Sequence, residues 1–193
     1  MIPGLILAAG ASARMGRPKP LLQTGGRSFV SAIIQTLRAG GLAPIVVVIR
    51  PGSGEVADEI VGAGGLSVVN PSPDEGQLSS LLAGLDAVET AASTAVLVTL
   101  VDAPSIRPET VALLLARLST SDAPILRATY RGRHGHPVVF RSSVFGALRG
   151  ADPRLGAKVV LRAHVVEDVE IDDPGIVDDI DTPEDYARVF GVI

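Results

Sequence analysis

Short apolar runs alternate with stretches of helical period along the whole chain. The runs Gly4–Ala8, Ile45–Ile49, Leu66–Asn70, Ala95–Leu100, Ile125–Tyr130, His136–Phe140 and Val165–Ile171 predict strands. Ile45-Val46-Val47-Val48-Ile49 and Val96-Leu97-Val98 lack polar alternation. Such runs are buried on both faces, as in a parallel sheet covered by helices. Between the strands, the spacing predicts helices over Phe29–Ala39, Gly54–Val61, Leu78–Glu89, Pro108–Leu118, Ser143–Leu148, Gly156–His164 and Pro183–Val189. Ser28 reads as the N-cap of the first helix, and Thr182 with Pro183 as N-cap and N1 of the last. The alternation predicts an α/β three-layer sandwich with a mostly parallel, doubly wound, Rossmann-like sheet. Tyr130-Arg131-Gly132-Arg133-His134 reads as the turn of a hairpin, the one antiparallel portion. The 21 glycines and 14 prolines cluster at junctions and no repeat or linker stands out, so residues 1–193 read as a single domain.

Composition narrows the function classes. With 47% hydrophobic and 20% charged residues, a substantial core can form. No apolar stretch is long enough to span a bilayer. The run Ile2–Ala13 ends in Ala11-Ser12-Ala13 like a cleaved leader. However, no basic segment precedes it, and Pro3, Gly4 and Gly10 interrupt it. It reads instead as a buried strand entering a glycine loop. The absence of cysteine excludes disulfides, cysteine–zinc sites, iron–sulfur clusters and thiol catalysis, and fits a cytoplasmic location. Net charge is 17 − 21 = −4, with three histidines and 3% aromatic residues. That composition speaks against nucleic-acid binding and against a histidine metal cage.

The distribution of charge says more. Residues 1–50 carry six basic side chains and no acid, whereas residues 167–193 carry ten acids and one base. One end of the chain is suited to anions and the other to cations or solvent; solvated surface charge accounts for most of these residues. In an open parallel sheet, ligands bind beyond the carboxyl ends of the strands. The first such loop runs Leu7-Ala8-Ala9-Gly10-Ala11-Ser12-Ala13-Arg14-Met15-Gly16-Arg17-Pro18-Lys19. Small residues let backbone N–H groups approach a ligand, and Arg14, Arg17 and Lys19 gather charge suited to a triphosphate. No Gly-Lys-Ser/Thr follows, and Gly-x-Gly-x-x-Gly is absent, so neither a Walker loop nor a dinucleotide fingerprint is present.

From Leu7 to Leu22 the string Leu-Ala-Ala-Gly-x-Ser-x-Arg-Met-Gly-x-x-Lys-x-Leu-Leu resembles the MobA-like nucleotidyltransferase family at every fixed position. Its Leu-Ala-Ala-Gly is similar to the branch that makes molybdopterin cytosine dinucleotide, where the guanylyltransferase branch has Leu-Ala-Gly-Gly. Ala9 therefore points to CTP over GTP. The resemblance implies nucleotide contacts from Leu7, Ala8, Ala9, Gly10 and Ser12, with Arg14 and Lys19 on the phosphates.

Asn70-Pro71-x4-Gly76-Gln77-Leu78-Ser79-Ser80-x3-Gly84 also resembles the family, where this loop and helix start approach base and ribose. A helix N-terminus with Gly76, Gln77 and Ser80 offers donors and a favourable dipole end; the plainer role for Ser79 or Ser80 is a helix cap. Asp102 ends an apolar run, and an acid there needs compensation. A Mg²⁺ bridging a triphosphate would supply it through hard oxygen ligands. The family carries Asp-x-Pro at this place. The other role for Asp102 is to cap the helix near Pro108. Asp179-Ile180-Asp181-Thr182-Pro183 resembles a further family string whose second acid, here Asp181, completes the metal site. The alternative is an acidic turn favouring the dipole of the last helix. Gly135-His136-Pro137 matches a string of the cytidylyltransferase branch that shapes the acceptor pocket, unless His136 is simply structural.

These residues predict a Mg²⁺-dependent nucleotidyltransferase in which Arg14, Lys19 and Asp102 serve catalysis and Asp102 and Asp181 hold metal. Its partners would be a nucleoside triphosphate, CTP favoured, and a phosphorylated small-molecule acceptor, molybdopterin first. Guanylyl transfer and transfer onto a sugar phosphate stay open. So do two readings of other classes: an NAD(P)H-dependent oxidoreductase of the kind that reduces nicotine blue, and a cofactor-insertion partner of a molybdenum hydroxylase.

Overall fold

The computed structural model describes residues 1–11, 15–90 and 92–191. The predicted strands form β1 (Gly4–Leu7), β4 (Ile45–Ile49), β5 (Leu66–Val69), β6 (Ala95–Leu100), β7 (Ile125–Tyr130), β8 (Arg133–Arg141) and β9 (Val166–Glu170). Among the described residues these make one seven-stranded sheet in the order β5-β4-β1-β6-β8-β7-β9. Strands β5, β4, β1 and β6 pair in parallel, β8 runs antiparallel to both β6 and β7, and β9 pairs in parallel with β7. Every residue of β1 and β4 is buried, as the unbroken apolar runs require.

The helices are α1 (Phe29–Ala39), α2 (Gly54–Gly62), α3 (Gln77–Val88), α4 (Pro108–Thr120), α5 (Phe145–Arg149), α6 (Lys158–Ala163) and α7 (Pro183–Phe190). Strand alternation sorts the core into two layers. Ile6, Val47 and Leu97 face α1, α2 and α4, meeting Phe29, Ile33, Ile60 and Leu114. Leu5, Val46, Val48 and Val98 face the opposite way onto α3, α5 and α6, meeting Leu81, Leu85, Leu148 and Val160. Gly84 lets α3 lie tight on this side, since a Cβ there would sit 2.8 Å from Val48 Cγ2.

The caps follow the sequence. Ser28 accepts from the Ser31 amide, and Thr182 forms a reciprocal capping box with Asp185. The β7–β8 turn has Arg131 at φ 49° and Gly132 at φ 72°, the pairing of a type I′ hairpin. This hairpin is not the only antiparallel portion, contrary to the sequence-based expectation. β2 (Gln23–Thr24) and β3 (Arg27–Ser28) form a separate ribbon. They turn through Gly25 and Gly26 at φ 55° and 78°, a Gly-Gly signal legible in the sequence. The predicted helix Ser143–Leu148 divides into a 3-10 turn, Ser142–Val144, followed by α5.

The chain passes from β1 outward to β4 and β5, then crosses through α3 to β6 on the other side of β1. The carboxyl ends of β1 and β6 therefore flank the point where winding reverses, which is where such sheets bind ligands. After β9 the chain returns over these ends. Gly135 at the start of β8 makes room for this return, because a Cβ there would lie 1.9 Å from the Ile176 carbonyl oxygen. Gly135→Ala should cost about 1–3 kcal/mol in denaturant unfolding, the range for an overpacked site. Gly146→Ala, in open space on α5, should stay within about 1 kcal/mol of wild type on the stabilising side. Equal stability of the two variants would contradict this packing.

Candidate active site

A cleft of about 440 Å³ opens at the winding switch. Four segments line it: Leu7–Ala11 after β1, Lys19, the start of α3, and Leu100–Asp102 after β6, closed by Asp181. Ten sequence-predicted residues meet here: Leu7, Ala8, Ala9, Gly10, Lys19, Gly76, Gln77, Ser80, Asp102 and Asp181. Ser12 and Arg14 lie outside the described residues. Ala8 and Ala9 are buried, while a Cβ at Gly10 would meet no protein atom within 4 Å. The floor is thus tightly packed and the loop beside it leaves space open.

On one wall, Gly76 caps α3 at φ 100°, ψ −178°, a conformation reserved for glycine. It starts a twelve-residue helix whose N-terminal end lines the cleft, the helix end that attracts anions. Ser79 and Ser80 do not cap the helix. Both are held by Asn70, buried at 1% exposure, whose Nδ2 donates to Ser79 Oγ at 2.8 Å and Ser80 Oγ at 3.0 Å. Its Oδ1 accepts from the Ser72 amide at 2.9 Å. Asn70 headed the family-like string without a role of its own, and its signal was present: a polar side chain ending an apolar run.

The opposite wall carries charge. A 3-10 turn, Lys19–Leu21, follows Pro18 and aims the Lys19 ammonium inward. Lys19 Nζ donates to Asp181 Oδ1 and lies 3.7 Å from Asp102 Oδ2. The acid-free N-terminal and acid-rich C-terminal ends of the chain meet at this contact. Much of the remaining C-terminal acid pairs on the surface: Glu167 with Arg117, Asp168 with Arg127 and His134, and Asp178 with Arg188.

Asp102 caps no helix. The acid at the start of α4 comes from Asp173, whose Oδ2 accepts from the Arg107 amide at 2.9 Å. Among the described residues, Asp102 Oδ1 is buried without a hydrogen-bond partner. Burial pushes its pKa from 3.8 to about 6, with Lys19 pulling down and Asp179 and Asp181 pushing up. Asp179 is also raised, by burial and then by Asp181. Asp181 faces Lys19, and the capping box of α7 is supplied by Thr182 and Asp185. His136 is partly exposed on β8 and lies outside the cleft lining. Burial lowers its pKa to about 4.

An orphaned buried carboxylate oxygen beside a second carboxylate fits a hard divalent cation. Among the described residues no group of three metal-ligating side chains forms a closed cage. Two carboxylates with substrate phosphates completing the shell is the arrangement Mg²⁺ favours.

A switch-point cleft with a small-residue loop, an inward lysine and a buried aspartate is where an open α/β sheet binds its ligand. The chain matches the MobA-like NTP transferase domain over residues 4–169 and belongs to that family. It is 33% identical over 202 residues to nicotine blue oxidoreductase of Paenarthrobacter nicotinovorans, covering 98% of this chain and 96% of that one. It is 28% identical to a protein of Natronomonas pharaonis named "Probable molybdenum cofactor guanylyltransferase", covering 96% and 95%. The solved structure of Rv0371c from Mycobacterium tuberculosis H37Rv superposes with a TM-score of 0.87 at 27% identity, covering both chains completely. The same protein has been solved in complex with manganese (TM-score 0.81, 26% identity, 100% and 99% covered). Among the described residues no helix is long and apolar enough to cross a membrane.

The raised pKa of Asp102 sets a pH test on metal-free protein. Above the unfolded value of 3.8 the native state binds the extra proton, so stability falls as pH rises from about 4 through about 6. Asp102→Asn cannot ionise. It should match wild type near pH 4 and exceed it by up to about 3 kcal/mol at pH 8 in urea unfolding with chelator present. A variant less stable than wild type at pH 8 would contradict the uncompensated carboxylate.

Proposed function

We propose that this protein transfers a nucleoside monophosphate, CMP from CTP, to a phosphorylated small-molecule acceptor, molybdopterin, in the cytoplasm. The observation that carries this reading is the orphaned, buried Oδ1 of Asp102 in a cleft built from a phosphate-type loop and Lys19. An acceptor phosphate oxygen attacks the α-phosphorus, the bond to the β-phosphate oxygen breaks, and pyrophosphate leaves. The chain contributes alignment and charge rather than covalent chemistry.

In this reading Leu7, Ala8, Ala9, Gly10 and Ser12 contact the nucleotide, and Gly76, Gln77 and Ser80 approach base and ribose. Lys19 and Arg14 place positive charge on the phosphates, where charge develops in the transition state. Asp102 and Asp181 are the residues that would hold Mg²⁺. When bound, that ion would neutralise charge developing between the α- and β-phosphates. The preference for CTP rests on Ala9, and the choice of molybdopterin on the first-loop resemblance. The relative named as a molybdenum cofactor guanylyltransferase supports the acceptor and leaves GTP as the competing donor. Delivery of the product to a molybdenum hydroxylase belongs to the same reading. The chain acts as one domain, without nucleic acid or membrane.

A second reading has its own observation: 33% identity along nearly the full length to an oxidoreductase that acts on nicotine blue. Melting curves with CTP, GTP and NADPH, each with and without Mg²⁺, separate the two. CTP with Mg²⁺ should raise the melting temperature most; a ligand at a hundred times its dissociation constant adds about 2.7 kcal/mol. A larger shift with GTP overturns the base assignment, and a shift with NADPH alone favours reduction. With CTP and molybdopterin, Lys19→Ala and Asp102→Asn should lose pyrophosphate release while remaining folded. Full activity in either variant contradicts the role given to that residue.

A further inference from the structure

The two carboxylates assigned to metal come from distant parts of the chain, and little of their own making sets the distance between them. Asp102 sits at the end of β6, whereas Asp181 arrives on the segment 172–181 that returns across the sheet after β9. Three of the contacts between that segment and the loop from Asp102 to α4 do most to tie the two together, and Arg107 Nη1 adds another by donating to the Asp172 carbonyl oxygen at 3.3 Å. The Ile180 amide donates to the Asp102 carbonyl oxygen at 2.9 Å. Gly175 lies against the Ser105 peptide so closely that a Cβ would come within 2.4 Å of its carbonyl oxygen. The third contact is made by Asp173, 2% exposed.

The Asp173 carboxylate is divided between the two segments. Its Oδ1 accepts from the Gly175 amide at 3.0 Å and shapes the turn of its own segment. Its Oδ2 accepts from the Arg107 amide at 2.9 Å and from Thr110 Oγ1 at 2.6 Å, closing the first turn of α4. Arg107 Nε lies 3.7 Å from Oδ1, so the buried charge has a partner. A carboxylate is the group this geometry demands, because both of its oxygens face backbone N–H donors. A neutral amide in either orientation sets an NH2 against one of them.

We propose that Asp173 is a positioning residue for the phosphate-transfer site. By clamping the segment that carries Asp181 to the loop that carries Asp102, it sets the spacing of the two carboxylates for a divalent cation held with nucleotide phosphates. It touches neither substrate nor metal and acts through the Arg107–Thr110 turn and the Gly175 turn. Outer partners that orient ligands in this way typically command about 10–100-fold in metal affinity. The proposal rests on the nucleotidyltransferase reading above.

The test is Mn²⁺ titration by electron paramagnetic resonance, at a temperature well below the melt, with saturating CTP or GTP. In parallel, the nucleotide is titrated in chelator. Asp173→Asn should weaken Mn²⁺ binding about 10-fold or more while nucleotide affinity without metal stays within a factor of about 2. Thr110→Val, which keeps the Arg107 amide bond, and Gly175→Ala should shift Mn²⁺ affinity in the same direction. They decide the matter if Asp173→Asn does not fold. A purely stabilising role predicts lower melting temperatures with Mn²⁺ affinity unchanged, and that result overturns the proposal. A wild type that binds Mn²⁺ no better with nucleotide than without it overturns the nucleotidyltransferase reading, and this proposal with it.

Discussion

The site depends on how the carboxylate of Asp102 is compensated at the end of a buried strand. Removing an ionised acid from water is costly unless a cation or donors replace the lost hydration. Here the replacement is partial. The Lys19 ammonium sits 3.7 Å away on a turn that follows the glycine loop, and among the described residues the other oxygen has no hydrogen-bond partner. Asp181 engages the same lysine and adds a second negative charge. A divalent ion carried by a triphosphate would add positive charge between these two acids. The loop of small residues, the glycine-initiated α3 and the returning segment are each placed by the need to build this cleft where the sheet's winding reverses.

Much of this was legible in the sequence, because local chemistry and long-range packing demand the same residues. Val46, Val47 and Val48 form an unbroken apolar run since helices cover both faces of β4. Gly76 stands at the start of α3 because the backbone there takes a positive φ. Lys19, Asp102 and Asp181, separated by up to 162 residues, were legible as candidates through motif strings, although no spacing rule announces that they meet. The unread parts are those where a side chain works at a distance. Asp173 reaches the Arg107 amide, 66 residues earlier and just ahead of α4. Asn70 braces two serines from the preceding strand. Asp173 does not look different from a surface acid until the chain is folded, and Asn70, although it ends an apolar run, does not announce which side chains it will hold. Gly135 carried a motif resemblance tied to the acceptor pocket, and its packing gives it another reason to be glycine.

The family contains proteins named for different chemistries on one framework, so the fold cannot select among them. In the proposed reading the distinguishing feature is the cleft, where Asp102 and Lys19 lie together with the loop after β1. Full-length similarity to an oxidoreductase makes that distinction the central one for this chain.

The most direct measurement is the effect of bound Mn²⁺ on the ³¹P relaxation of CTP and GTP held by the protein. The account predicts strong, selective relaxation of the nucleotide phosphorus signals in the wild type, because metal and phosphates share the cleft beside Asp102. In Asp102→Asn the enhancement should disappear while the protein remains folded. Nucleotide binding with no relaxation by Mn²⁺, or undiminished relaxation in Asp102→Asn, would contradict the account.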